Sequence, residues 1–150
     1  MADEVEISAT DASEDALQLA RENAVAHAVG DRINFANADL LPGDDPRRWD
    51  LILANLPYVR SDAVPALPSA ASFEPALALD GGPDGLRVID RLLALLPASL
   101  APGGAALLEI GGDQAVEMRT LAETRLPGWS CEIEMDLGGL PRVAIVRPPA

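Results

Sequence analysis

Near the middle of the chain an aliphatic run, residues 51–54 (LILA), meets Asn55, Leu56, Pro57 and Tyr58. Two acceptors stand side by side there: the Asn55 side-chain oxygen and the backbone carbonyl of Leu56. Together they can take both hydrogens of one NH₂ group. Pro57 confines the residue before it to extended backbone, which sets the direction of the Leu56 carbonyl. Tyr58 offers a flat face on which an amide or a base can stack. The nitrogen such a site suits has a delocalised lone pair and is a poor nucleophile. Acceptors on its hydrogens let it pyramidalise toward an electrophile, with geometry supplying much of the rate. The plainer reading of the tetrapeptide is a strand-ending turn with proline and tyrosine as punctuation.

Two carboxylates occupy comparable places. Asp11 follows the alternating VEISAT run, and Asp39 follows RINFANA. A carboxylate at a strand end can accept both hydroxyls of a vicinal diol, and Asp11 fits that role. It fits equally the role of a helix-entry residue. Asp39, with Leu40 and Leu41 behind it, can bond an adenine amino group while the leucines pack on the ring.

These residues need elements to hold them. The spacing predicts a strand over 5–10. A helix follows, capped by Ser13, with Glu14 and Asp15 in its first turn and Gly30 as its stop. Its apolar face is Ala16, Leu17, Ala20, Ala24 and Val25. A second strand is expected over 32–36 and a third over 49–55, the latter apolar enough to be buried on both faces. Residues 56–84 carry five prolines and little periodicity, and a loop that long in a compact domain is usually functional. A helix begins near Asp84, with Leu86, Ile89, Leu92, Leu93 and Leu96 on one side. A turn at PGG (102–104) precedes a strand over 105–110. A helix over 113–126 leads to two strands joined by GGLP, an antiparallel hairpin at the sheet edge. Strands alternating with helices imply an α/β three-layer sandwich with a mostly parallel sheet, whose ligands bind beyond the carboxyl ends of the strands. Asp11, Asp39, Asn55 and Glu109 all fall at or near such ends.

The totals bound the function. A chain of 150 residues with 49% hydrophobic content builds one ordinary domain. The net charge of −13 argues against a passive wrapper of nucleic acid. Cys131 is the sole cysteine, so no internal disulfide forms, which fits a reducing cytoplasm. It reads as a small core residue rather than a nucleophile. With His27 the sole histidine, a zinc site of the usual ligands is not expected. His27 should lie near a helix end, facing water. No signal peptide and no membrane span are expected.

Several blocks follow one another in a telling order: DASEDALQLARENA, NADLL, WDLILANLPYVRSD, FEPALALDGGPDGL, LAPGGAALLEIGGDQ and RVAIVRP. Together they resemble the catalytic domain of the HemK/PrmC family, the N5-glutamine methyltransferases of peptide chain release factors. The resemblance implies a class I, Rossmann-like fold, S-adenosyl-L-methionine as cofactor, and methylation of the glutamine side chain in the release factors' GGQ motif. It implies that Asp11 binds the cofactor ribose and that Asp39, with Leu40, binds the adenine. Asn55, facing both cofactor and substrate, holds the substrate amide with the Leu56 carbonyl, while Pro57 and Tyr58 shape the pocket. Phe73, Glu74 and Pro75 form its substrate-side wall, with no catalytic role assigned to Glu74.

Two departures qualify this. The family pattern is Asn-Pro-Pro-Tyr, and Leu56 stands at its second position. Asn-Leu-Pro-Tyr also occurs in rRNA adenine dimethyltransferases, so methylation of an adenine amino group in nucleic acid is an alternative that the acidic charge disfavours. The family also has a first strand ending in a glycine-rich cofactor loop, preceded by a small helical domain, and this chain begins after both. The expectation is therefore one catalytic domain, 1–150, truncated at its N-terminus and lacking its first strand. Such a chain would bind cofactor weakly or not at all, with a missing segment or a second chain completing the sheet. A catalytically inactive fragment is the remaining reading.

Overall fold

The computed structural model describes residues 5–42, 47–67 and 74–149. The chain divides into two compact units, Met1–Pro46 and Arg47–Ala150.

The first unit is a βαβ element. Strand β1 (Ile7–Asp11) leads into helix α1 (Glu14–Ala26), and β2 (Ile33–Asn37) returns parallel to β1. Their register pairs Ile7 with Ile33 and Asp11 with Asn37. Ser13 caps α1 as expected: its hydroxyl accepts from the Ala16 N–H at 3.2 Å. The apolar face is narrower than expected. Leu17 and Ala24 are buried, whereas Ala16 and Val25 are exposed. His27 is the exposed C-cap. The stop is made by Ala28 rather than Gly30. Ala28 adopts φ +55°, its N–H bonds the Val25 carbonyl, and the Val29 N–H bonds the Ala24 carbonyl. That pair of bonds is the Schellman arrangement, completed here by an alanine in the left-handed place where glycine is usual.

The second unit is a four-stranded sheet of order β3-β4-β6-β5. Strand β3 (Trp49–Ala54) runs parallel to β4 (Leu100–Glu109). The hairpin of β5 (Ser130–Met135) and β6 (Pro141–Arg147) adds antiparallel through β6, leaving β5 at the edge. Between β3 and β4 come the short α2 (Ala76–Leu79) and the longer α3 (Arg87–Ser99), and α4 (Ala115–Arg125) lies between β4 and β5. Helix α3 carries Ile89, Leu92, Leu93 and Leu96 into the core, each at most 1% exposed. Helix α3 packs on β4 and α4, and α4 packs on β6; Ala106 and Leu108 of β4, Ala144 and Val146 of β6, and Met118 and Ala122 of α4 are buried with them. Arg48 closes α3 by donating to the carbonyls of Pro97 (3.1 Å) and Leu100 (2.9 Å), a cation at the negative end of the helix.

Two expectations fail here. The PGG segment is no turn before the strand. It lies inside β4, where Gly103 takes φ +78° and the register against β3 slips between Trp49 and Leu51. A left-handed glycine lets the strand bulge without ending. Strand β3 is also not buried on both faces: Ile52 is 7% exposed, but Leu51 and Leu53, pointing the other way, are 53% and 69% exposed. The helices of this unit cover only the Ile52 face, and β3 is an edge strand of its sheet. Among the described residues no strand pairs with the outer edge of either β1 or β3. Cys131 is half-buried on β5, with its thiol pKa raised by burial, as suits a packing residue rather than a nucleophile.

Candidate active site

Strand β3 ends at Ala54 and delivers Asn55 just past the carboxyl end of the sheet. The Asn55 side chain is exposed and has no hydrogen-bond partner among the described residues, and neither does the Leu56 carbonyl. Several backbone groups on the far side of the turn are engaged. The Tyr58 carbonyl accepts from Gln114 Nε2 at 3.0 Å. The Val59 N–H bonds the Leu79 carbonyl and the Val59 carbonyl takes the Gly81 N–H, so residue 59 bridges to Asp80 like a short parallel strand. The Ser61 N–H bonds the Gly82 carbonyl at 2.9 Å. Two acceptors without a partner among the described residues thus sit beside a segment anchored at the Tyr58 carbonyl and at both backbone polar groups of Val59.

The block ALDGGPDGL does the tying. Asp80 Oδ1 accepts from the Ser61 hydroxyl (2.6 Å) and the Gly82 N–H (2.8 Å), and these bonds hold its carboxyl below the usual range. A side chain at Gly81 would put its Cβ 2.6 Å from the Pro57 carbonyl oxygen. At Gly85, with φ +76°, a Cβ would overlap the Tyr58 carbonyl and Gln114 Nε2. Glycine is required at both places because the turn's backbone packs directly on this loop.

Tyr58 is held at its other end. Its hydroxyl donates to Glu109 Oε1 at 3.1 Å, from the last residue of β4. Burial first, and then that bond to a carboxylate, raise the phenol pKa; the nearby Arg142 guanidinium partly offsets them. Tyr58 therefore stays neutral at ordinary pH, with its ring orientation set from β4. Arg142 is itself held by Asp136, with Nε and Nη2 both 3.4 Å from Oδ2.

The other anticipated residues fall as follows. Pro57 is half-buried within the turn. Glu74 is exposed, one residue before the N-cap of α2, and makes no hydrogen bond among the described residues. Phe73 lies outside the described residues. Asp11, Asp39 and Leu40 belong to the first unit. Asp11 closes β1 exposed, with Oδ1 accepting from the Ser13 N–H at 2.7 Å. The helix-entry role is therefore realised, and it occupies only one of the two carboxylate oxygens. Asp39 is exposed just beyond β2. Leu40 takes φ +76°, rare for a γ-branched residue, and its carbonyl accepts from the Thr10 hydroxyl at 2.6 Å. Two carboxylate acceptors and an apolar side chain are the types of group that fit the hydroxyls and base of a nucleoside. No group of three or more His, Cys, Asp or Glu among the described residues could hold a metal ion. No helix among them is long and apolar enough to cross a membrane.

Gln114 and the paired glycines are the positions that pattern reading passed over. The signal was present in the EIGGDQ block, but a glutamine at a helix start reads as solvent-facing until its burial is seen.

No protein-family model matches the chain. Among curated proteins it is 40% identical over 146 residues to the release factor glutamine methyltransferase of Deinococcus radiodurans, covering 96% of this chain and 50% of that protein. It is 40% identical over 144 residues to the enzyme of the same name from Cereibacter sphaeroides, covering 95% of this chain and 51% of that protein. The ribosomal protein uL3 glutamine methyltransferase of Bradyrhizobium diazoefficiens is 40% identical over 105 residues, 70% of this chain and 33% of that protein. Among solved structures, the ribosomal protein L11 methylase of Lactobacillus delbrueckii subsp. bulgaricus superposes with a TM-score of 0.66 at 19% identity, over 95% of this chain and 58% of that one. TrmN of Thermus thermophilus superposes at 0.60 with 24% identity, over 95% and 36%. The structural likeness establishes the class I methyltransferase fold. The chain spans from about a third to about half the length of these curated relatives. On its sequence, this chain belongs to the HemK/PrmC family of glutamine methyltransferases.

Proposed function

We propose that this chain is the part of a glutamine methyltransferase that holds the substrate amide, transferring a methyl group from S-adenosyl-L-methionine to the side-chain nitrogen of a glutamine. One observation carries this reading: among the described residues the Asn55 side chain and the Leu56 carbonyl stand unpaired beyond the end of β3, next to a segment anchored through the Tyr58 carbonyl and Val59. Residue 56 keeps the acceptor the chemistry needs although it is not proline. The cost of leucine there is one N–H, which has no partner among the described residues.

The bound cofactor would supply an electrophilic methyl group. Asp11 would accept a ribose hydroxyl, and Asp39 and Leu40 would meet the base. Asn55 Oδ1 and the Leu56 carbonyl would each accept one N–H of the glutamine amide. That draws the hydrogens out of conjugation with the carbonyl and turns the nitrogen lone pair toward the methyl group. Tyr58, neutral and fixed by Glu109, would stack on the flat amide without competing for its hydrogens. The proton lost after transfer leaves from the same N–H positions to water, since Asn55 is exposed.

The substrate we favour is a peptide chain release factor, acting through its GGQ glutamine. Relatives named for release factors align over 93–96% of this chain in four of five cases, whereas those named for uL3 align over 70–79%. A cytoplasmic enzyme acting in translation termination follows from that choice. Residues 1–150 would then belong to its catalytic domain, the sheet completed by a further segment or a second chain.

The test is transfer of labelled methyl from the cofactor to purified release factor and, separately, to uL3, RNA and DNA. Label on the release factor glutamine is expected. Label on uL3 alone would replace the substrate, and label on nucleic acid alone would overturn the amide reading. Calorimetry with the cofactor separates a weak binder from an inactive fragment, which would show no heat.

A further inference from the structure

Gln114 is the one polar or charged residue buried among the described residues, at 7% exposure. A buried carboxamide must use its donors and acceptor or lose their hydration without return. This one uses all three across separate segments. Oε1 accepts from the Gly111 N–H at 2.7 Å. Nε2 donates one hydrogen to the Tyr58 carbonyl at 3.0 Å and the other to the Asp84 carbonyl at 3.3 Å. The reverse orientation of the amide would set NH₂ against N–H and oxygen against two carbonyls, so the network admits only this one.

From this geometry we infer that Gln114 is a positioning residue for the acceptor turn. Its amide ties three segments together: the turn after β3, the glycine loop before α3, and the end of β4. Among the described residues no other side chain hydrogen-bonds the Tyr58 backbone. Because Pro57 already restricts the turn, fixing the Tyr58 carbonyl leaves residues 55–58 little freedom, and the directions of the two unpaired acceptors follow. The glycines at 81 and 85 give the turn a close floor, and Gln114 is the bond that draws it down. The functional consequence rests on the proposed methyl transfer; the positional one does not.

Tyr58 is the only tyrosine in the chain, so the absorbance of tyrosinate at alkaline pH reports its surroundings alone. In Gln114→Met the buried volume is kept and all three bonds are lost. In Gln114→Glu the acceptor for Gly111 is kept and both donors are lost. Gln114→Met should move the Tyr58 titration midpoint toward that of free tyrosine as the turn lifts, whereas Gln114→Glu adds a carboxylate that itself raises the midpoint and is read by kinetics instead. In an active enzyme, kcat should fall by about a hundredfold, as for a reacting group displaced by about 1 Å, with KM for the protein substrate changed much less. A merely structural role would lower the unfolding midpoint without that split. In the unaltered protein, the two Gln114 side-chain hydrogens should give distinct, slowly exchanging NMR signals, a measurement that needs no variant to fold. Rapid exchange there, or an unmoved Tyr58 midpoint in folded Gln114→Met, overturns the inference. A shifted midpoint in a chain that transfers no methyl would support the positioning role and refute the proposed function.

Discussion

Replacing Gly85 by alanine tests whether the acceptor turn is held as tightly as the structure has it. Two costs are involved and they can be separated. Gly85 has φ +76°, and a left-handed conformation costs an L-residue about 1–2 kcal/mol. Its new Cβ would also overlap the Tyr58 carbonyl and Gln114 Nε2, and overpacking costs about 1–3 kcal/mol. The sum is about 2–5 kcal/mol, a large share of the stability of an ordinary domain. Two controls divide it. Gly139 has nearly the same backbone, φ +79°, with nothing within 4 Å, so Gly139→Ala should show the backbone cost alone, about 1–2 kcal/mol. Gly81 does not have positive φ, but its Cβ would lie 2.6 Å from the Pro57 carbonyl oxygen, so Gly81→Ala should show the packing cost alone, about 1–3 kcal/mol. Both tryptophans, Trp49 and Trp129, lie in the second unit. Urea unfolding followed by their fluorescence therefore reads that unit, with an unchanged m-value validating the comparison. Gly85→Ala should show the lowest midpoint of the three. If it costs no more than Gly139→Ala, the Tyr58 carbonyl and the Gln114 amide do not crowd position 85, and the close packing of the turn on the glycine loop is refuted.

Three further outcomes are expected. Asn55→Ala removes one of the two amide acceptors and should lower kcat by about 10²–10³, as for loss of one preorganised transition-state hydrogen bond, with unfolding unchanged because Asn55 is exposed; an unaltered single-turnover rate would exclude Asn55 from the chemistry. Glu109→Gln removes the carboxylate that helps raise the Tyr58 pKa, so the tyrosinate midpoint should fall. Because the folded pKa lies above the unfolded value, the associated stability is intact below pH about 10 and is lost as pH rises through the folded value; that loss should be smaller in the variant, as alkaline unfolding curves will show. Ala28→Gly relieves the left-handed alanine that ends α1 and should stabilise the first unit by about 1 kcal/mol, read from helical circular dichroism on heating; a destabilised first unit would refute the Schellman assignment.

Much of the fold could be read in advance because its signals are local. Ser13 announces a helix start because only a short polar side chain can turn back to the first-turn N–H groups. The leucines of α3 announce a buried face because 3.6-residue periodicity survives without knowledge of what they face. The errors were of a different kind. Gly30 was the natural stop for α1, yet the chain turned two residues earlier at Ala28, where two backbone bonds outweigh the strain of one side chain. PGG was the natural turn before β4, yet Gly103 let the strand continue through a bulge. The apolar run of β3 implied burial on both faces, but composition cannot say whether a strand has neighbours on each side.

The sequence by itself determined the chemistry available: an amide and a carbonyl side by side, a proline to orient them, an aromatic ring and carboxylates at strand ends, in an order matched by one family. Tertiary structure alone decided which of those groups are at liberty. Among the described residues the Asn55 side chain and the Leu56 carbonyl are left without partners, while the Tyr58 carbonyl, the Tyr58 hydroxyl and Asp80 are each engaged by residues from 19 to 56 positions away. Gln114, unremarkable in the sequence, became the link between three segments. Whether a polar group serves the fold or remains for a substrate depends on what the chain brings within 3 Å of it, and that distance is not written in any local pattern.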